Sequence, residues 1–335
     1  VDPLTHGVAS FALQRAFFPR ASWRTAAVIV CAGIIADVDW SSTELGPSGY
    51  LVWHRTATHS LTVAVLLAFS AFLFFLTTKK SVGDIWRGFS WVAVVLAALL
   101  HLFLDVLQSD GVSLLWPFSS RRFSLDVLPQ IDPWLLTVLI AAVFLPELFR
   151  LVSDEIGAHS KRPRGRNGAI VGLSFALLYL ALRALLHANT VAALEAHTIA
   201  GESPHRAAAF PDSTSPFLWH SIVETESALN LVNMRGMGGE VSYASGVTTL
   251  RKPEPSLMLA AAQKSPAAVA FIRFARFPKA TVQPETEGYS VEIQDLKDQA
   301  TEEKSRAIFA DINLDKNSRV VSSELQWQND SSSPR

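Results

Sequence analysis

The chain has 335 residues, of which 49% are hydrophobic and 18% charged, with a mean hydropathy of +0.25. Soluble proteins carry about 25% charged residues, so this composition points to a membrane protein. The net charge of -1 offers no global field for nucleic acid, and the single cysteine, Cys31, excludes both an intramolecular disulfide framework and a CxxC metal motif.

The N-terminal "VDPLTHGVASFALQRAFFPR" has no basic region ahead of its apolar part, so no cleavable signal peptide is expected there. Two short apolar segments follow one another, Thr5–Phe18 and Trp23–Asp37, and are expected to form a helical hairpin turning at "PRASWR". Leu61–Leu76, Phe89–Leu107, Trp134–Val152 and Ala169–His187 are each long enough, with their flanks, to cross a bilayer, which takes about 20 apolar residues. Past about residue 195 charges become frequent. "GESPHRAAAFPDSTSP" reads as a polar linker, while "EVSYASGVTTLR", "AAVAFIRFARF", "GYSVEIQDL", "RAIFADINL" and "RVVSSELQW" read as strands by β-branched content and alternation. "LDKNSRV" reads as a hairpin turn.

The expected fold is therefore an α-helical multi-pass membrane bundle of four to six helices, followed by a mainly antiparallel β soluble domain. The expected boundaries are 1–195 for the membrane domain, 196–327 for the β domain and 328–335 for a disordered tail. Lys and Arg in the short loops set the orientation. Arg15, Arg20 and Arg24, then Lys79, Lys80 and Arg87, then Arg150, Lys161, Arg162, Arg164 and Arg166 lie on one side, against Arg55, Arg121 and Arg122 on the other. The first set is expected in the cytoplasm, and the C-terminal domain outside it.

Ionisable residues inside or beside the apolar segments carry the functional signal. His6 starts the first segment, Asp37 and Asp39 end the second, His54 and His59 precede the third, and His101 and Asp105 lie near the end of the fourth. Successive helices alternate in direction, so all of these fall on one side of the membrane. His101 and Asp105 are spaced i, i+4 and share a helix face. A charge inside an apolar span costs at least about 2.5–3.5 kcal/mol and is paired or functional by default. Asp37 and Asp39, at i, i+2, converge only where a regular helix ends.

Mixed imidazole and carboxylate donors suit a divalent metal, Zn²⁺ first, with Mn²⁺ or Fe²⁺ as alternatives. His6, Asp37, Asp39, His54, His59, His101 and Asp105 are the candidate ligands, enough for one ion with a supporting shell or for two ions.

The segments "DPLTHGVASFAL", "IADVDW", "HRTATHS", "HLFLDVLQSDG" and "LLWPFSSRRFSLDVLPQIDPW" together resemble the YdjM-type family over about residues 1–190. That family is described as inner-membrane-associated, metal-dependent hydrolases. The resemblance implies the same seven residues as the polar site, and it places Arg121, Arg122, Asp126 and Asp132 in a matching loop.

Two functions compete. One is a membrane-bound metal-dependent hydrolase acting on a phosphoester or other ester, with a lipid-linked substrate drawn from the surrounding membrane lipids. Asp37, Asp105 and Arg121 are then the catalytic candidates, with Arg121, Arg122 and Arg55 able to hold a phosphate. The other is a non-catalytic membrane protein whose His/Asp cluster is a structural metal site or polar plug, and whose β domain binds a protein partner of unknown identity. A transporter is disfavoured, since the polar groups cluster at one end and no inverted repeat is present. The chain also lacks GxSxG, Walker and HExxH motifs.

Overall fold

The computed structural model describes residues 1–76, 90–155, 165–199, 201–237, 240–243, 246–301 and 307–328. The basic stretches Lys79–Arg87 and Lys161–Arg164, which set the expected orientation, and nearly all of the expected disordered tail lie outside these residues. The chain divides into two compact units, Val1–Ser41 with Trp53–Leu185, and Ser42–Val52 with Leu186–Arg335.

The first unit is helical. Its elements are α1 (Pro3–Phe17), α2 (Trp23–Ile34), α4 (Leu61–Leu76), α5 (Ser90–Val106), α6 (Pro133–Glu155) and the first part of α7 (Arg166–Ala196). Between α2 and α4 the chain runs through a 3₁₀ segment (Ile35–Leu45) and α3 (Gly46–Trp53). The helix starts are capped by the chain's own side chains. Asp2 accepts from Thr5 N–H ahead of Pro3, and Ser22 accepts from Thr25 N–H.

α2 packs on α5 and α1, and α4 packs on α5. Val28, Ile29 and Ala32 of α2, Ala68 and Phe72 of α4, and Ala93, Val94, Ala97 and Ala98 of α5 form one buried cluster. The many alanines let the backbones approach closely, which is how helices associate where lipid removes the hydrophobic drive. α1 and α2 approach closely at Gly33: a Cβ there would lie 2.8 Å from Ser10 Cβ. Gly168 and Gly172, at i, i+4 on α7, do the same against Pro146 and Ala142 of α6.

The outward faces are apolar. Leu66, Phe69 and Leu73 of α4, Leu96 and Phe103 of α5, Phe144 and Leu148 of α6, and Phe175, Leu178 and Leu182 of α7 are all exposed. A monomeric soluble protein rarely shows contiguous apolar patches of this kind. Two helical stretches, Trp23–Trp53 and Arg166–Ala196, are long and apolar enough to cross a bilayer, and Leu61–Ser70, Trp91–Val106 and Pro133–Phe149 are shorter apolar helices.

The second unit contains two antiparallel sheets. β1 (Arg206–Pro211), β2 (Leu218–Glu224), β3 (Ala228–Met237) and β4 (Glu240–Tyr243) are neighbours in that order, and β5 (Thr248–Arg251) also pairs with β3. The second sheet is the meander β6 (Pro278–Glu285), β7 (Gly288–Asp295), β8 (Ile308–Asp315) and β9 (Val320–Trp327). Between the sheets in sequence run α8 (Leu257–Gln263) and α9 (Pro266–Phe274), with α10 (Leu296–Ala300) between β7 and β8.

β1 to β3 of the first sheet bury residues on both faces. Ala209, Trp219, Val223 and Val232 pack with Leu186 and Leu194 of α7, while Ala208, Phe210, Ile222 and Leu229 pack with Phe277 and Leu296. The period of two along each strand sorts these residues to opposite sides. In the second sheet Ile308, Ala310, Ile312 and Leu314 alternate inward against Leu259, Ala268 and Phe271.

The expected hairpin at "LDKNSRV" joins β8 to β9, with Asp315 Oδ1 accepting from the Asn317 and Arg319 N–H groups. Two sequence expectations are corrected. "AAVAFIRFARF" is mostly helix α9, not a strand: Ser265 accepts from Ala268 N–H, Pro266 opens the helix, and Ala267, Ala268 and Phe271 bury one face. The expected linker "GESPHRAAAFPDSTSP" contains β1, whose alanines have low strand propensity and are held by pairing with β2.

Candidate metal centre

The first unit brings histidines and aspartates from four segments together. His6 comes from α1, Asp37 and Asp39 from the 3₁₀ segment, His54 and His59 from the turns after α3, and His101 and Asp105 from one face of α5. The change from α2 to 3₁₀ geometry at Ile35 separates the two aspartates from the α-helical spacing. Eleven residues is long for a 3₁₀ run, which rarely exceeds 3–4 residues and often marks a functional segment.

Four side chains converge with ligand-like spacing. His59 Nε2 lies 3.2 Å from His101 Nε2, 3.0 Å from Asp105 Oδ2 and 3.8 Å from Asp37 Oδ1. His101 Nε2 lies 3.2 Å from Asp105 Oδ2 and 3.7 Å from Asp37 Oδ1. Ligands about 2.1 Å from a tetrahedral zinc stand about 3.4 Å apart, so these separations fit one ion with little movement. His6, Asp37, His101 and Asp105 also present ligand atoms within 4.8 Å of one another. His6 stacks on His101, with ring centroids 3.9 Å apart, and its Nε2 sits 3.2 Å from the second oxygen of Asp105. Asp105 therefore faces two groups of donors, one through each oxygen.

The protonation pattern points the same way. His101 Nδ1 is 2.8 Å from the Gly33 carbonyl, which only accepts. Nδ1 is thus the donor to that carbonyl, which turns Nε2 toward the centre. His59 Nδ1 lies 3.0 Å from Asp39 Oδ2, which orients that ring in the same manner. Asp39 Oδ2 also accepts from Arg55 N–H at 2.7 Å and from Thr58 Oγ1 at 2.7 Å. Asp105 Oδ2, Asp37 Oδ2 and His6 Nδ1 are buried and lack a well-directed hydrogen bond among the described residues, although imidazoles stand close to Asp105. Donor atoms crowded without hydrogen-bond geometry are what a cation would satisfy. Burial alone would lower the His59 imidazole, but hydrogen bonding to Asp105, Asp37 and Asp39 pushes it up to about 10. Without an ion that ring holds a proton between carboxylates, and an ion must displace it.

The remaining candidates have other contacts, and of them His54 and Arg55 touch residues of the centre. His54 Nδ1 is 3.3 Å from Asp39 Oδ1, and the ring meets Trp40 edge-on. Arg122 donates to the His54 carbonyl at 3.0 Å. Arg121 is exposed, with its guanidinium 5.3 Å from the centroid of the Phe123 ring. Arg55 is buried, 3.8 Å from Asp105 Oδ1 and 3.6 Å from Asp110 Oδ2. Asp132 caps α6 through the Trp134 and Leu135 N–H groups and accepts from Tyr179, while the buried Arg183 donates to the Val127 carbonyl.

Sequence reasoning missed three contributors. Asp110 lies in "QSDG", five residues past Asp105 and just beyond the helix end, where a carboxylate on the same side was the available signal. Thr58 stands between the histidines of "HRTATHS". The Gly33 carbonyl leaves no mark in the sequence.

No curated protein and no solved structure matches the chain. The model of the YdjM inner membrane protein family matches residues 1–190, which span every residue of this centre. On that match, over more than half its length, the chain belongs to the YdjM inner membrane protein family.

Proposed function

We propose that the chain is a membrane-bound, metal-dependent hydrolase of a phosphoester or other ester. The observation that carries this is the convergence of His59 Nε2, His101 Nε2, Asp37 Oδ1 and Asp105 Oδ2, with separations of 3.0–3.8 Å from each imidazole. In this reading those four residues hold a divalent ion, zinc first, manganese or iron as alternatives. The Gly33 carbonyl and Asp39 keep the imidazoles turned inward. When bound, such an ion supplies water acidic enough to attack an ester at neutral pH. His6, on the far oxygen of Asp105, is placed to complete the shell or to begin a second ion's.

A lipid-linked substrate suits the surroundings. Trp53, Leu115, Phe118, Leu125, Ile131 and Trp134 are exposed apolar residues on the segments that enter or leave the same end of the helices. They favour an amphiphile whose polar group reaches the centre while its chains stay in lipid. In the same reading α4 to α7 cross the inner membrane with α1 and α2 as a hairpin, and the loop basicity sets the centre and the C-terminal domain outside the cytoplasm.

The second reading, a structural ion or polar plug, is favoured by burial: His6, His59, His101 and Asp105 are at most 2% exposed. Turnover separates the two. Detergent-solubilised full-length protein should hydrolyse phosphoesters, lose the activity on chelation and regain it with Zn²⁺ or Mn²⁺. Asp105→Asn, which keeps the shape but alters the charge, should be inactive. Equal background rates for wild type and Asp105→Asn across phosphomonoesters, phosphodiesters and carboxylic esters would favour the structural reading.

A further inference from the structure

Arg55 combines features that the metal reading does not use. Its side chain is only 5% exposed, yet it lies between a fully buried carboxylate, Asp105, and a more open one, Asp110, at 23%. It therefore stands between the interior of the centre and its more exposed side. Both separations, 3.8 and 3.6 Å, exceed the roughly 2.7–2.9 Å of a tight charge-assisted pair. The guanidinium is thus within ion-pair reach of two carboxylates at once.

The backbone of Arg55 is held in an unfavourable shape. Its φ of 55° is in the left-handed region, which a non-glycine residue occupies only when its surroundings impose it, often at a functional site. Here the surroundings are on view. The Arg55 N–H donates to Asp39 Oδ2 at 2.7 Å, and its carbonyl accepts from Ser113 N–H at 3.0 Å. The same Asp39 oxygen is 3.0 Å from His59 Nδ1. One carboxylate thus orients a candidate metal ligand and fixes where the guanidinium starts.

The other arginines of the helical unit near this region are differently employed. Arg121 lies on the surface against Phe123, Arg122 braces the His54 carbonyl, and Arg183 donates to the Val127 carbonyl. Arg55 is the one beside Asp105. A cation coordinated by Asp105 would draw on the negative charge that the guanidinium now shares. The guanidinium would then face an incoming anion on the Asp110 side. Its planar fork suits phosphate, which it can hold through two parallel hydrogen bonds.

We propose that Arg55 binds the substrate's phosphate group, exchanging its share of Asp105 for that anion when a divalent ion takes the carboxylate. This rests on the hydrolase reading above and deepens it: the substrate carries an anionic phosphate, and Arg55 rather than Arg121 recognises it. A carboxylic ester, with no charge in its ground state, would gain little from this residue.

The test measures binding, so it does not depend on turnover. Full-length protein in detergent is examined as wild type, Arg55→Gln and Arg55→Lys. Affinity for Mn²⁺ or Zn²⁺ is measured by competition with a chelating dye. The metal-loaded forms are titrated calorimetrically with inorganic phosphate and with a short-chain phosphatidic acid, with the matching diacylglycerol as an uncharged control. Metal affinity should stay within about threefold of wild type in both variants. Phosphate binding should weaken about tenfold or more in Arg55→Gln and less in Arg55→Lys, which keeps the charge but loses the fork. A headgroup preference would appear as phosphatidic acid binding more tightly than inorganic phosphate, with the same dependence on Arg55.

Arg55→Gln binding phosphate as well as wild type would overturn the proposal. So would a proportional loss of metal in both variants, which would make Arg55 a structural ion-pair partner. Asp110→Asn covers the case in which Arg55→Gln does not fold. Removing the outer carboxylate should tighten phosphate binding severalfold, and no change would again overturn the proposal. Wild type that takes no metal refutes the hydrolase reading on which this rests. Wild type that binds metal and phosphate through Arg55 but turns over no ester refutes hydrolysis and leaves Arg55's role standing.

Discussion

Gly33→Ala tests whether the packing of α1 on α2 holds the centre together. The added Cβ would lie 1.9 Å from Ser10 Oγ, 2.8 Å from Ser10 Cβ and 3.7 Å from Ala97 Cβ. The hydroxyl can rotate away, but the Ser10 Cβ cannot. Opening that contact to an ordinary 3.5–4 Å requires the helices to part by about 1 Å. Overpacking of this kind costs about 1–3 kcal/mol. The displacement is delivered where it matters. Ser10 is one helical turn from His6, whose Nε2 is 3.2 Å from Asp105, and the Gly33 carbonyl itself accepts from His101 Nδ1–H at 2.8 Å. Loss of such an orienting contact typically weakens a metal site about 10–100-fold. Gly33→Ala should therefore lower the melting temperature and weaken metal binding by about tenfold, read by thermal unfolding and chelator competition in detergent. Ser10→Gly in the same chain removes the clashing Cβ and should restore much of the metal affinity. Unchanged metal affinity in Gly33→Ala, or no recovery in the double variant, would refute the argument.

Other outcomes follow from the same geometry. Asp132→Ala removes the α6 cap and the Tyr179 hydrogen bond, and should destabilise the helical unit by about 1–2 kcal/mol without abolishing metal binding; metal loss equal to that of His101→Ala would contradict this. In the β domain Asp212 accepts from Thr214, Ser215 and His220. Burial alone would raise its carboxyl, but these hydrogen bonds hold it below the usual value. A depressed folded value means the contribution is present above the unfolded value and is lost as pH falls through the folded one. Asp212→Ala should thus cost stability at neutral pH and progressively less below about pH 4, as denaturant titrations across that range would show. For the proposed orientation, a cysteine at Ser119 on a Cys31-free background should react with an impermeant maleimide in intact cells and one at Ser81 should not; the reverse pattern would put the centre on the cytoplasmic side.

The polar centre was legible because the membrane amplifies the cost of misplacing charge. His101 and Asp105, one turn apart in an apolar segment, demanded partners, and helix alternation put the other histidines and aspartates at the same end. What the sequence could not divide was the role of each. Asp39 and His54 sit a residue or two from other site residues, yet Asp39 orients His59 and binds the Arg55 backbone, and His54 leans on Asp39. Those roles depend on the 3₁₀ geometry of Ile35–Leu45 and on the left-handed turn at Arg55, neither of which leaves a composition signal. In the C-terminal part, strands with alternating inward residues such as β8 were readable. The alanine-rich β1 and α9 were not: alanine disfavours a strand, so pairing with β2 decides β1, while in α9 Val269, Phe271 and Ile272 carry a strand signal that the serine cap and proline override.

The central claim is that His59, His101, Asp37 and Asp105 bind a divalent ion. Metal analysis of purified full-length protein, compared with His101→Ala/Asp105→Ala purified in parallel, tests it most directly. Wild type should carry about one to two equivalents of a divalent transition metal and the double variant near none, with both proteins inserted and monodisperse in detergent. Equal metal content in the two, or a well-folded wild type that neither contains nor takes up metal, would contradict it.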